Sequence, residues 1–391
     1  MRQGCAPTWT VQLPRPQSRS LSAVDAGATP AQCLHILFYA LGAVVPPLRA
    51  VDSGTEPHPM LLDGCYEYID LLQDSSLVLE PLPFHITSQK DVYSGRLDGC
   101  NVVVKSWRGM ATCSSMRRAF IKRLRRELEM WQRATEFHPN IAPFLGLAPV
   151  GQLGSVPALV LARYGDGNAR DYLDRRNLTT RERASESLQI AAGVADALCY
   201  LHSRSPPLVH GSIRGSNVLI SSTGEPLLTD LGMRNLPYPT DLTMMNSRQS
   251  LNDVRWMAPE LVDGSSVGAN DSHESEDGTE KEEHAYPITP GSDLYSFGMT
   301  MLELITGKDP FHERRHAIAV LLDMTRGVRP ARPSLADGGI SDGLWVIMTS
   351  CWKQDPAERP DAATVYALRF CPGFVENDHY MCAAEESRKH E

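Results

Sequence analysis

A lysine closes the apolar run Val102-Val103-Val104-Lys105, and a glutamate, Glu127, stands in the charged stretch Leu124-Arg-Arg-Glu-Leu-Glu129. A strand lysine joined to a helix carboxylate can form an ion pair that steers phosphate oxygens. Further along, Val209-His-Gly-Ser-Ile-Arg-Gly-Ser-Asn-Val-Leu-Ile220 is followed after a turn by Leu227-Leu-Thr-Asp-Leu-Gly232. Two apolar strands there bracket a polar loop, so Asn217 and Asp230 emerge near the same place. Oxygen donors of that kind suit Mg²⁺, which takes a few protein oxygens and keeps phosphates and waters.

These groups need elements to carry them. Val92-Tyr93 and Val102 to Val104, with Gly95-Arg-Leu-Asp-Gly99 between, read as two strands and a turn. Met116 to Ala134 is a charged helix with apolar residues at Phe120, Leu124, Leu128 and Trp131. Ile141–Leu147 and Ala158–Leu161 are further strand candidates. Helical patterns follow at Ser185–His202, Ser292–Thr306, Ala317–Arg326, Gly343–Trp352 and Ala362–Phe370. Strands first and helices second predict a small sheet-rich lobe and a larger helical lobe. Residues 1–58 read as a poorly ordered leader, broken up by Pro, Ser, Gln and Gly. Residues 59–78 read as a short helical lead-in.

The 391 residues are 42% hydrophobic and 22% charged, ordinary for a soluble globular chain. The formal net charge is −9, which argues against nucleic-acid binding through bulk positive charge. Residues 263–286 hold eight acids and one lysine, so most of that acidity belongs to one surface insertion whose composition predicts disorder. Nine cysteines without a C-x-x-C pair fit neither a disulfide framework nor a zinc site, and predict a reducing, cytoplasmic setting. The longest apolar run, Cys33–Val45, falls short of the roughly 20 residues of a membrane span. The basic run Arg117, Arg118, Lys122, Arg123, Arg125 and Arg126 reads as a solvated helix face.

Trp256-Met-Ala-Pro-Glu260, Ser292-Asp-Leu-Tyr-Ser-Phe-Gly298 and Cys351-Trp-Lys-Gln-Asp-Pro-Ala-Glu-Arg-Pro360 complete a set of motifs in order. With them the chain resembles a protein kinase domain of the tyrosine-kinase-like group over residues 79–375, about three quarters of its length. The resemblance implies an α+β, two-lobed fold: an antiparallel-sheet N-lobe at 79–161 and a helical C-lobe at 162–375, with 376–391 a tail. It implies that Lys105 contacts the α- and β-phosphates of ATP and that Asn217 and Asp230 hold Mg²⁺. It matches Val92, Val103, Leu161 and Leu219 to the nucleotide pocket, with Ala162 to Tyr164 the adenine-facing backbone. For the helix partner of Lys105, the basic run and Trp131 favour Glu127, while counting back from His138-Pro-Asn140 favours Glu129; Glu127 is preferred. Glu260 and Arg359 match a bracing pair, and Asp293 an aspartate that supports the catalytic loop from below.

Two departures stand against these matches. The position of the aspartate that orients and accepts the proton of the substrate hydroxyl is Ser212, with Arg214 two residues on in the place of a phosphate-contacting lysine. Anchoring the glycine-rich loop on Val92 puts its three glycines at His85, Thr87 and Lys90. Lys90 is expected to be a solvated strand lysine, with a compensating role as a phosphate cation the alternative. Gly211 replaces the arginine that reads a phosphorylated activation segment, where Thr240, Thr243, Ser247 and Ser250 offer hydroxyls. The implied function is a pseudokinase that binds ATP and Mg²⁺ weakly and serves as a signalling scaffold or allosteric partner. The alternative is a serine/threonine kinase with atypical machinery acting on a protein substrate.

Overall fold

Strand alternation organises the first lobe. Val102 and Val104 are fully buried and pack with Ala148, Ala158 and Val160 on one side of the sheet, while Val103 and Lys105 turn to the other. The computed structural model describes residues 77–86, 90–108, 114–148, 156–236, 253–262, 288–334 and 340–368. Strands β1 (Leu77–Leu79) and β2 (His85–Ile86) pair with one edge of β3 (Lys90–Leu97). β3 then pairs with β4 (Cys100–Trp107). Beyond it β5 (Phe144–Ala148) and β6 (Ala158–Ala162) complete an antiparallel sheet of order β1-β3-β4-β6-β5. Asp98 and Gly99, both at positive φ, make the tight turn between β3 and β4, as a primed two-residue hairpin turn requires.

Helix α1 (Ser114–Phe137) lies against this sheet. Phe120, Leu124, Leu128 and Trp131 form one fully buried stripe, and the Trp131 indole donates to the Ala142 carbonyl at 2.7 Å. Arg118, Lys122, Arg125 and Arg126 are exposed, as a solvated basic face should be. The second lobe contains α2 (Ala169–Arg175), α3 (Thr180–His202), α4 (Pro290–Thr306), α5 (Ala317–Thr325), α6 (Asp342–Cys351) and α7 (Ala362–Leu368). Every residue of α4 from Ser292 to Ile305 is buried, so it is the axis of the lobe rather than a surface helix. A Cβ on Gly298 would meet Cys351 Cβ at 2.9 Å, so glycine permits the close approach of α4 and α6. A two-stranded hairpin, β7 (Val218–Ile220) and β8 (Pro226–Leu228), sits at the head of this lobe.

The α+β, two-lobed architecture is the expected one, with two local corrections. Leu77 and Val78, assigned to a helical lead-in, are strand: they pair with Leu97 and Arg96, so the sheet starts before residue 79. The strand expected from Ile141 begins at Phe144, because Pro143 has no N–H for a ladder; Ile141 makes only an isolated bridge to Leu228. The leader, the remainder of the lead-in, the acidic insertion, the four activation-segment hydroxyls and the tail lie outside the described residues. The Arg359 guanidinium grips the Glu260 carboxylate with two bonds of 2.7 Å, forming the bracing pair. No helix among the described residues is long and apolar enough to cross a membrane.

Candidate functional site

Register decides which side chains share the underside of the sheet. Opposed residues on antiparallel strands lie on one face, as do residues two apart on a strand. Lys90 opposes Trp107, Val92 opposes Lys105, and Val103 opposes Leu161. Lys90, Val92, Val103, Lys105 and Leu161 are therefore on one face, with two cations beside three apolar side chains. Leu219 of β7 is half-buried opposite Leu227, and its backbone bridges to Asn168 just after the inter-lobe segment.

The loop before β7 is held from below by carboxylates. Asp293 of α4 accepts from the backbone N–H groups of His210 and Gly211, both at 2.8 Å, and contacts His202 Nε2 at 3.0 Å. Glu303 of the same helix accepts from Gly215 N–H at 3.0 Å and from the Trp256 indole at 2.8 Å. Burial raises the Glu303 pKa, against the pull of these donors and of Arg170. Asp293 thus supports the loop as the resemblance implied. Glu303 was not anticipated; the signal for it was a lone acid inside the apolar run Met299–Ile305, where only a paired carboxylate is tolerated.

The hairpin fixes the two proposed metal ligands. Val218 opposes Leu228, and Thr229 N–H donates to the Asn217 carbonyl at 3.0 Å, which carries the pairing outward to Asn217 and Asp230. Asp230 has φ +65, a left-handed conformation costly for a residue with a Cβ. Gly232 follows at φ +71, and a Cβ there would run into the Glu127 carboxylate. Asn217 Nδ2 donates to the Ser212 carbonyl at 2.9 Å and to Ser212 Oγ at 3.2 Å. Arg214 pairs with Asp253.

The ion pairs differ from expectation. Lys105 Nζ lies 2.5 Å from Asp230 Oδ1, while Glu127, on α1, pairs with Arg123 one turn earlier at 2.7 Å and packs its carboxylate against Gly232. The expected Lys105–Glu127 pair is replaced by Lys105–Asp230. Of the two candidate glutamates, Glu127 is 1% exposed and Glu129 is exposed. Burial raises the Glu127 pKa, partly offset by Asn235 and Arg123. Lys90 is not a solvated lysine: its Nζ lies 3.2 Å from Asp230 Oδ2 and 4.7 Å from the centre of the Trp107 ring. Burial pushes the Lys90 pKa down, with Lys105 adding to that and Asp230 opposing it. For Asp230, burial alone would raise the pKa; Lys105 and then Lys90 outweigh it and hold the carboxyl well below the usual range.

An amide and a carboxylate are suitable donor types for Mg²⁺. Here, however, both carboxylate oxygens of Asp230 already carry an ammonium group. The donor set as arranged does not fit Mg²⁺ while Lys90 stays in place.

A bilobal fold with a lysine-bearing strand, a clamped polar loop and an Asp-Leu-Gly turn defines the class. The family model for protein tyrosine and serine/threonine kinases matches residues 88–368. The chain belongs to that family, which generally uses ATP and Mg²⁺. The three relatives that follow are of the tyrosine-kinase-like type. Kinase suppressor of Ras A of Caenorhabditis elegans is 29% identical over 229 residues, 57% of this chain and 27% of that protein. Serine/threonine-protein kinase CTR1 of Arabidopsis thaliana is 26% identical over 245 residues, 59% of this chain and 24% of that protein. Serine/threonine/tyrosine-protein kinase HT1 of the same plant is 24% identical over 232 residues, 59% of this chain and 50% of that protein. The chain thus spans from about a quarter to half the length of these relatives.

Proposed function

We propose that this chain is a nucleotide-binding pseudokinase: a kinase fold without efficient phosphotransfer, acting as a signalling scaffold or allosteric partner in a reducing, cytoplasmic setting. Ser212 carries the reading. It stands in the loop clamped by Asp293 and Glu303, and its Oγ is engaged by Asn217. A serine hydroxyl cannot accept the substrate proton as a carboxylate can, and general-base assistance is worth roughly 10²–10⁴ in rate. Two further observations support it: Glu127 is turned away from Lys105, and His85 and Lys90 replace glycines that would cradle phosphate with backbone N–H groups. Val92, Val103, Leu161 and Leu219 are the proposed adenine contacts, Lys105 the phosphate contact, and Arg214 a residual cation beside Ser212.

The second reading is a serine/threonine kinase with atypical machinery, favoured by the retention of Lys105, Asn217 and Asp230 around one point. Radiolabelled ATP with a panel of protein substrates, read on the full chain and on Asp230→Ala, separates the two. The pseudokinase reading expects equal background from both proteins. Transfer by the wild type that disappears in Asp230→Ala would establish the kinase instead.

A further inference from the structure

Lys90 occupies a position where the family has a glycine, and strand alternation leaves it no choice of direction. It is two residues before Val92 and opposite Trp107, so it shares the cleft-facing side of the sheet with Lys105. Its ammonium reaches one oxygen of Asp230 while Lys105 holds the other. The Trp107 ring beneath it adds a cation–π contact that fixes the side chain inward.

Charge bookkeeping gives this geometry a consequence. Lysine for glycine at 90 adds one positive charge to the cleft, and serine for aspartate at 212 removes one negative charge. Together they shift the site by the charge of one divalent cation. A Mg²⁺ ion approaching Asp230 would meet two ammonium groups on that carboxylate, and it gives up its waters reluctantly. An ammonium group has three donors and no geometric demand, so it can hold Asp230 and a phosphate oxygen together.

We propose that Lys90 stands in for the divalent cation, so that the cleft holds the phosphates of a nucleoside triphosphate between Lys90 and Lys105, and Mg²⁺ does not strengthen binding. This rests on the nucleotide-binding reading above and specifies how that site neutralises phosphate.

Calorimetric titration of the full chain with ATP, once in excess EDTA and once in millimolar MgCl₂, tests it. The two dissociation constants are expected to agree within a few-fold. Lys90→Ala weakens binding in EDTA by about tenfold or more and makes it tighten when Mg²⁺ is added. Lys90→Arg, which keeps the charge, retains binding in EDTA. Adenosine, which has no phosphate, binds wild type and Lys90→Ala alike, and that equality shows that the variant is folded. If Lys90→Ala does not fold, Lys90→Gly, the family's own residue there, takes its place. Wild-type binding tightened tenfold or more by Mg²⁺ would overturn the inference while leaving the nucleotide site intact, as would unchanged ATP affinity in Lys90→Ala. Failure of both ATP and adenosine to bind wild type in either buffer would remove the nucleotide site itself.

Discussion

Glu127 and Glu129 are two positions apart on one helix and have different surroundings. Glu127 is buried against Gly232 and Arg123, whereas Glu129 is exposed. Removing an exposed acid changes stability within about 0.5 kcal/mol. Removing a buried, hydrogen-bonded one leaves donors unmet and costs roughly 1–3 kcal/mol. Denaturant unfolding of Glu127→Ala and Glu129→Ala should show that contrast; equal, small effects would mean that α1 does not hold Glu127 against the Asp-Leu-Gly turn. The choice between these residues was partly legible in sequence, because Phe120, Leu124, Leu128 and Trp131 set the buried stripe and Glu127 lies next to Leu128. Lys90 is legible as well, against the expectation of a solvated lysine. Once Val92 was assigned to the nucleotide pocket, period-2 alternation already put Lys90 on the same face. At this position the strand geometry overrides the tendency of lysines to be exposed. The Lys105–Asp230 pair was not legible, since it depends on how far α1 stands from the sheet, which no local pattern encodes.

At the scale of elements, the catalytic loop is a strap pinned to α4. Asp293 and Glu303 lie nearly three turns apart on that helix and together hold His210, Gly211 and Gly215 by their backbone N–H groups. Charged acceptors on backbone donors are among the stronger hydrogen bonds, so the loop is fixed from the core side and not from its exposed side. Hydrogen exchange should report this. Asp293→Ala is expected to deprotect the amides of His210 and Gly211 while β4 keeps wild-type protection. Unchanged exchange at those two amides would show that the loop is held by the β7–β8 hairpin instead. The elements themselves are mostly legible, because α1 and α3 carry 3.6-residue patterns, α4 is a long, largely apolar run, and β3 and β4 alternate around an Asp-Gly turn. Helix α2 was missed. It is seven residues long with only Ala169 and Leu173 buried, too short for a period to show, and its one sequence signal is the Asn168 cap that accepts from Asp171 N–H at 2.9 Å.

For the whole molecule, stability and site share a titrating group in His210. The ring is fully buried, with Nε2–H donating to the Thr229 carbonyl at 2.9 Å and Nδ1 accepting from Ser212 N–H at 3.2 Å. Both ring nitrogens are therefore satisfied only in the neutral tautomer. A proton added at Nδ1 would face a donor. Burial lowers the pKa, and His202 adds to that, while Asp293, the Thr229 bond and Asp230 oppose it. The folded protein thus takes up this proton at lower pH than the unfolded chain, whose histidine titrates near ~6.5. Stability from His210 is present above that value and is lost as pH falls below it, at up to about 1.4 kcal/mol per pH unit for one proton. Other groups move differently. Asp230, held low by two lysines, keeps its full contribution until the pH falls below the ordinary aspartate value near ~3.9. Glu127 and Glu303, raised by burial, favour the fold more as pH falls toward the ordinary glutamate value. The raw acid profile mixes these signs, so the measurement has to be a difference: unfolding free energies of wild type and His210→Gln across pH 5 to 8. The wild-type advantage should be constant above neutrality and shrink steadily on acidification below about 6.5. A wild-type advantage that grows on acidification would mean that His210 is protonated in the fold, and that the clamp between Asp293, Thr229 and Ser212 is built around a cation; a gap independent of pH would mean that His210 titrates alike in the folded and unfolded chains.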